Sequence, residues 1–463
     1  MFCLCSRLSP KYLYRSQGQV LVWFLATVAA SAAVLYGVYN VGQLTVSKQK
    51  VVNAVDAAAL AGSVQQARLL NLMAYGNRSM LVSDALVAQM VSLDSWLRYV
   101  QTSTRNLGIV TKLLPGVGQI LSQVLTSAAR MIDRVEDAYG GRFLPSAILS
   151  LDTRKQAIEF ANSALIATGA IMAQKVSRQV VLANKTDFGG RSDQSPQWGL
   201  EQGVFDARNM LQWSRFSRKY SGAKRTDASY VVRESRDDFS RESGRHGNSL
   251  TNFSLLGVNL EKRGGTRLIG FDRWEAQDTL ELKTKHLFRT KVIPVGWGRA
   301  DAGRGGHLYW GSSVARKLAF ESMRVLPWSG VSEVTDLTES ARRNPTLEFV
   351  IAAFRPKGAT ATTGSISIAA GEGSSILGSA QMDEKLLSDR VTAIGAAQVY
   401  FERPQQGIGD WTAQAWGGGS SLLRQDPYKE YPSLYNPFWQ ARLAPVKEID
   451  RAILLGALNF SEP

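Results

Sequence analysis

The sequence predicts an α+β protein: an N-terminal transmembrane helix continuing into a long helical stalk or hairpin region, followed by a mainly β C-terminal domain. Three observations carry this reading. Gln19–Val41 is free of charge at membrane length, Pro10 and Pro115 bracket a stretch without proline, and most of the 11 tryptophans lie beyond Asp187. The expected divisions are a leader (1–18), a span (19–41), a helical stalk region (42–185) and a mainly β domain (186–463).

The span comes first. A bilayer core about 30 Å thick needs about 20 apolar helical residues, and Gln19–Val41 supplies them. Arg7, Lys11 and Arg15 precede it and no acidic residue occurs before Asp56. Basic residues are retained on the cytoplasmic side, so the leader is expected inside and the rest of the chain beyond the membrane. A cleaved signal peptide is the alternative, because Ala30-Ser31-Ala32 is a small-x-small site. The apolar run continues past that site through Val34, Leu35, Val38 and Val41, which favours an uncleaved anchor.

The stalk follows from the missing prolines, since internal proline breaks helices. Ala57–Ala61 and Gln65–Met73 are rich in strong helix formers. Leu86, Met90, Leu93, Leu97 and Val100 recur at steps of four and three, one face of an amphipathic helix. Thr111–Gly118 reads as a break, Ile120–Ala138 as a second helix closed by Tyr139–Pro145, and Ser146–Ala183 as a third. Each apolar face needs a neighbour, so these helices are expected to pack on the stalk.

From Asp187 the pattern turns to strands and turns. Expected strands are Thr251–Leu260, Thr266–Phe271, Thr279–Lys283, Lys291–Val295, His307–Trp310, Leu347–Phe354, Ser365–Ala369 and Ala393–Phe401. A last helix is expected over Val446–Leu458.

Chemistry-bearing motifs are sparse. Both cysteines, Cys3 and Cys5, lie in the leader, so the exported part has no disulfide, cysteine nucleophile or thiolate site. His246, His286 and His307 have no helical zinc spacing and would meet only in space. Gly371–Ser375 lacks the order of a nucleophile elbow, and Gly303–Gly306 lacks the ending of a phosphate loop. No catalytic, cofactor-binding or metal-ligating residue is expected, and no enzymatic activity. The net charge of +15 is interleaved with acids, and the basic Arg215–Tyr220 patch has no nucleic-acid motif beside it, so a nucleic-acid partner is not expected. Tyr428–Arg442 is dense in aromatics. Tyr435, Phe438, Trp439 and Arg442 are candidates for an interaction surface, where Tyr, Trp and Arg are over-represented; the alternative is that these rings seal the core.

Two motifs carry a family resemblance: Ser16-Gln-Gly-Gln-Val-Leu-Val-Trp-Phe24 leading into the span, and Asn53-Ala-Val-Asp-Ala-Ala-Ala-Leu-Ala61 after it. Together they resemble the Tad-like segment of TadG-type Flp/Tad pilus-assembly proteins. The resemblance covers roughly a fifth of the chain. It implies a single-pass component of the bacterial inner membrane, facing the periplasm, whose partners are the membrane and other pilus-assembly proteins. Related pseudopilins carry glutamate five residues after the cleaved glycine; with Gly18 before the cut, that position here is Trp23. A permanent tether is therefore expected rather than a filament subunit. Some members also carry a D-x-S-x-S metal site, which this sequence lacks. The expected function is a non-enzymatic, membrane-anchored structural component of a Tad/Flp-type pilus assembly or secretion apparatus. The alternative is a surface adhesin or minor pilin whose β domain binds an external ligand. Asp56, Ala58 and Gly62 form a small-residue face expected to pack helices, either in self-association through the stalk or against partners.

Overall fold

The computed structural model describes residues 17–112, 118–184, 199–200, 205–248, 252–255, 258–286, 289–304, 311, 313–356, 390–403 and 430–460. Its spine is one helix, α1 (Gln17–Thr111), of 95 residues. At 1.5 Å per residue it is about 140 Å long. It runs unbroken through Gly62 and Gly76, as the absence of proline allows. Among the described side chains Val20–Val46 is mostly exposed, and from Val51 onward the rest of the chain packs around the helix.

The return path is helical. α2 (Gly118–Glu136) leads through a π-helical segment (Asp137–Phe143) directly into α3 (Leu144–Ala183). The expected closure at Tyr139–Pro145 therefore does not occur. The Leu144 amide donates to the Tyr139 carbonyl, five residues back, so the ladder widens just before Pro145 and passes on without a break. α3 lies antiparallel to α1: Asp84 meets Lys155, Asn77 meets Asn162, and Val55 shares a core with Val181.

Two sheets are laid along this helical pair. Near the exposed end, β1 (Gly199–Leu200), β9 (Leu347–Pro356), β10 (Arg390–Phe401) and β11 (Trp439–Ala444) form an antiparallel sheet in the order β1-β9-β10-β11. Toward the far end, β3 (Phe253–Leu255), β4 (Val258–Ile269), β5 (Arg273–His286), β6 (Arg289–Gly303) and β7 (Arg324–Leu326) form a second sheet, antiparallel except for the β6–β7 pair. A small ladder of β2 (Ser217–Tyr220) with β8 (Val334–Leu337) lies between them. Helices α4 (Asp206–Phe216), α5 (Thr226–Glu234), α6 (Val314–Glu321), α7 (Glu339–Arg343) and α8 (Glu448–Phe460) complete the described elements. Of these only the last is anticipated by sequence pattern. Expected strands His307–Trp310 and Ser365–Ala369 lie outside the described residues. The gap expected at 261–265 is strand, because β4 runs without interruption from Val258 to Ile269.

The boundary at residue 186 divides secondary-structure types but not cores. One cluster joins Met80, Val87 and Val91 of α1 and Ile148 of α3 to Trp274 and Ala300 of the distal sheet. Another joins Leu70 and Met73 of α1 to Trp213, Leu347, Val399 and Trp439. The helical stalk is thus the interior of the β region.

Close approach explains the composition of α1's inner face. It buries Ser63, Gln66, Asn77, Asp84, Ser92, Asp94 and Ser95. Several hold the sheets directly: Ser92 bonds Thr266 at 2.6 Å, Ser95 donates to Asp278 at 2.8 Å, and Thr102 donates to the Trp297 carbonyl at 2.6 Å. A Cβ on Gly298 of β6 would fall 2.2 Å from the Ser95 carbonyl oxygen, so glycine there lets strand and helix backbones meet. Leu86, Met90, Leu93, Leu97 and Val100, the expected core face, are only half-buried.

Candidate functional site

The first unit of interest is the helix entry. Trp23 is 74% exposed and Leu35 69%, and Val20, Leu21, Phe24, Val34, Val38 and Val41 are exposed with them. Each large apolar side chain left in water forgoes about 1.5–3 kcal/mol. The hydroxyls in this stretch turn inward: Thr27 donates to the Trp23 carbonyl, Ser31 to Thr27 and Thr45 to Val41, each at 2.8 Å. A helix that satisfies its backbone and these hydroxyls within itself and presents mainly apolar side chains meets the conditions for crossing a bilayer. It is the single candidate span among the described residues.

Immediately beyond, the small-residue face has an occupant. Ala54, Val55 and Ala58 are buried against Ala353 of β9, Ala393 of β10 and Val181 of α3. A Cβ on Gly62 would lie 2.4 Å from the Phe349 ring, and one on Gly395 would lie 2.9 Å from Asp56. Ala58 and Gly62 therefore face the chain's own proximal sheet rather than an open surface, which corrects their placement as a face for a second molecule. Small residues at helical spacing signal close approach without saying to what. Asp56 is half-buried at this junction, and burial pushes its carboxyl above the usual carboxylate range.

The aromatic candidates also prove interior. Trp439 is 3% exposed, edge-on to Phe216 at 5.5 Å and to Phe401 at 5.2 Å. Its backbone amide and carbonyl pair with the Asn71 side chain of α1 at 3.0 Å each. Tyr435 packs against the distal core, and burial followed by the carboxylates of Asp336 and Asp227 raises its hydroxyl above the ordinary range. Phe438 lies edge-on to Phe401 with Arg403 over its ring, and Arg442 lies over Tyr400 at 4.6 Å. Trp439 and Tyr435 thus seal the sheets onto α1 and do not offer a platform. In the basic patch, Lys219 pairs with Glu333 at 2.8 Å and Arg218 lies over Tyr220 at 4.6 Å.

Two buried ionic centres fasten the spine, and pattern reading found neither. In the first, Asp84 of α1 takes Lys155 of α3 at 2.6 Å, and Ser332 of the β7–β8 loop donates to it from its amide at 2.9 Å and its hydroxyl at 2.8 Å. Lys155 also reaches Asp152 at 3.0 Å, the Gly330 carbonyl at 2.9 Å and the Trp328 face at 5.3 Å. Trp328 stacks on Trp274, whose indole donates to the Asp84 carbonyl at 3.1 Å. One pair therefore ties α1, α3, β5 and the loop together.

In the second, Asp94 meets Arg324 of β7 at 2.8 Å, and Arg324 also takes Glu136 of α2 at 2.5 Å. Arg98 faces Glu136 at 3.5 Å. The π segment makes room: a Cβ on Gly140 would fall 1.4 Å from the Arg324 guanidinium and 2.2 Å from the Asp94 carboxylate. Asp94 is fully buried with one carboxylate oxygen unpaired. Burial pushes its pKa up to about 6, against the pull of Arg324 and Arg98. Burial and the Asp94 charge raise Tyr139 to about 12. The sequence signal for both centres was a charge inside an otherwise helical core stretch, at Asp84, Asp94 and Lys155.

Among the described residues no group of three or more histidine, cysteine, aspartate or glutamate side chains is arranged to hold a metal ion. Comparison with known proteins finds no match among curated proteins or solved structures. Residues 18–68, the exposed entry helix together with the turns that dock on the proximal sheet, match the family model described as putative Flp pilus-assembly TadE/G-like, so it is this segment that is similar to that family.

Proposed function

We propose that the protein is a non-enzymatic, single-pass structural component of a Tad/Flp-type pilus-assembly apparatus, tethered by Gln19–Val41, with its body on the periplasmic side of the inner membrane. The observation that carries the reading is the continuity of α1. The Tad-type segment that matches at residues 18–68 is one uninterrupted helix with the spine of the body. An exposed apolar entry and a buried docking face occur on that same rod. Such a rod transmits position rigidly from the membrane to a body spread over about 85 Å of helix axis, at 1.5 Å for each residue from Val51 to Gly108. The mechanism is mechanical and electrostatic: the membrane holds one end, and the Asp84–Lys155 and Asp94–Arg324 centres keep sheets and return helix in register on the other.

The test is genetic and biochemical together. Deletion in the native host is expected to abolish surface pili, and the full chain is expected to restore them. A variant whose residues 1–41 are exchanged for a cleavable signal peptide is expected to be exported but not to restore them. Mass spectrometry of the N-terminus should find the leader intact. Restoration by the released variant, or a mature N-terminus after Gly18, would refute the tether; undiminished piliation in the deletion strain would refute the pilus role.

A further inference from the structure

The outer face of the distal sheet, turned away from α1, is polar where a covered sheet face is ordinarily apolar. Across β4, β5 and β6 it presents Arg263, Gln277, Thr279, Glu275, Arg299 and Asp301. Most of these charges neutralise one another: Arg299 pairs with Asp301 at 2.7 Å, Arg267 and Arg273 each pair with Glu275 at 2.9 Å, and Arg263 pairs with Glu261. Beside them lies a cavity of about 310 Å³, lined by Gln277, Thr279 and Arg263 of the sheet, by Glu242 and His246, and by Arg316 of α6. That volume is at the lower bound of small-molecule sites.

Three groups in it have bonding capacity left for a ligand, and one of them is buried. Gln277 is 5% exposed, yet its Oε1 accepts no hydrogen bond. An unmet buried acceptor costs about 1–3 kcal/mol, so its presence beside a cavity points to a donor that arrives from outside. Arg316 makes no ion pair among the described residues, although α6 holds it over the cavity. Gly311, at φ +95°, clears its path, since a Cβ there would fall 2.1 Å from the guanidinium. The third is His246. Its Nδ1 lies 3.0 Å from the Gly264 carbonyl and donates to it, which leaves Nε2 for another partner.

We propose that this cavity binds a small hydroxylated carboxylate of the size of a sugar acid. The Arg316 guanidinium matches a carboxylate in the two-pronged geometry arginine favours. Gln277 Oε1 and the Glu242 carboxylate accept from ligand hydroxyls, and Thr279 and His246 complete the ring of polar groups. A purely aliphatic acid leaves Gln277 unmet, and a neutral sugar leaves Arg316 unmet. The site is independent of the pilus assignment, because it lies on the face of the sheet remote from the tether helix.

The full-length protein in detergent, titrated calorimetrically with sodium glucuronate and sodium galacturonate, tests it. Saturable binding of at least one is expected, with acetate and glucose each at least tenfold weaker. Arg316→Gln is expected to weaken uronate binding at least tenfold while leaving the unfolding midpoint unchanged, since its head makes no ion pair among the described residues. Gln277→Leu, which fills the same volume without the acceptor, is expected to weaken uronate binding severalfold and to leave acetate binding unchanged. Absence of saturable uronate binding at tens of millimolar would overturn the proposal, and so would acetate binding as tightly as the uronates. Unaltered uronate affinity in Arg316→Gln would overturn it as well.

Discussion

Replacing Lys155 with methionine isolates the principal fastening of α1. The change keeps the length and apolar contacts of the side chain but removes the ammonium 2.6 Å from Asp84 and 3.0 Å from Asp152. Asp84 is fully buried, and it then keeps only Ser332 at 2.8–2.9 Å and the Trp328 indole at 3.3 Å. At an effective dielectric of about 20 a unit pair some 4 Å apart is worth about 4 kcal/mol. Breaking a buried pair by removing one partner costs about 3–5 kcal/mol, because a lone buried charge remains. The Gly330 carbonyl also loses its donor. The expected loss is therefore about 3–5 kcal/mol, against a total stability of about 5–15 kcal/mol for an ordinary protein. Urea unfolding in detergent, followed by the fluorescence of Trp274 and Trp328 beside the pair, reads it directly. Removing the stranded charge as well, in Asp84→Asn/Lys155→Met, is expected to recover at least about 2 kcal/mol of that loss. A single-variant cost below about 1 kcal/mol, or a double variant no more stable than Lys155→Met, would refute the reasoning that one buried pair holds helix, return helix and loop together.

The π segment offers a matched comparison. Gly140→Ala drives a methyl into Arg324 and Asp94 and is expected to cost about 2–4 kcal/mol. Gly141→Ala, with nothing within 4 Å, is expected to be neutral or slightly stabilising; equal thermal midpoints for the two would contradict the role given to Gly140. Asp94 makes stability pH-dependent with a definite sign. Its folded pKa of about 6 lies above the ordinary aspartate value of 3.8, so its contribution is complete below about pH 4 and is lost as the pH rises through 6. Midpoints measured between pH 4 and 7.5 should fall more steeply in the wild type than in Asp94→Asn. The difference should not exceed about 3 kcal/mol, and parallel curves would count against it. Gly62→Leu is expected to unfold the docking of α1 on the proximal sheet, since even a Cβ would fall 2.4 Å from the buried Phe349 ring, and so to impair folding rather than partner capture. Retention of the wild-type midpoint would show that the face is free after all.

How much was legible in the sequence can be argued from particular residues. The charge-free run at Gln19–Val41 and the absence of proline up to Pro115 are local properties, and local properties decide whether a helix forms and whether it can remain in lipid. The same locality made α2, α3, β9, β10 and α8 readable. The closure at Tyr139–Pro145 was misread because glycine and proline usually end helices. Here the tertiary need to seat Arg324 against Gly140 is met by one wide turn that also absorbs the proline. The small-residue face at Ala58 and Gly62 lies against the chain's own β9–β10 sheet, and the aromatic run around Trp439 lies against α1.

What the sequence alone determined is the rod: its length, its apolar entry and the absence of a recognisable catalytic motif along it. Only the tertiary structure decided that the rod is also the core. Asp84 and Lys155 are 71 residues apart, and Ser95 and Asp278 are 183 apart. No periodicity within one segment encodes a partner at such a distance. A charge or hydroxyl on a helix reads as solvated until an opposite group from another element arrives to satisfy it. The physical reason is that helix formation is set by neighbours three and four residues along, whereas burial of polar groups is set by whichever strand the fold brings alongside.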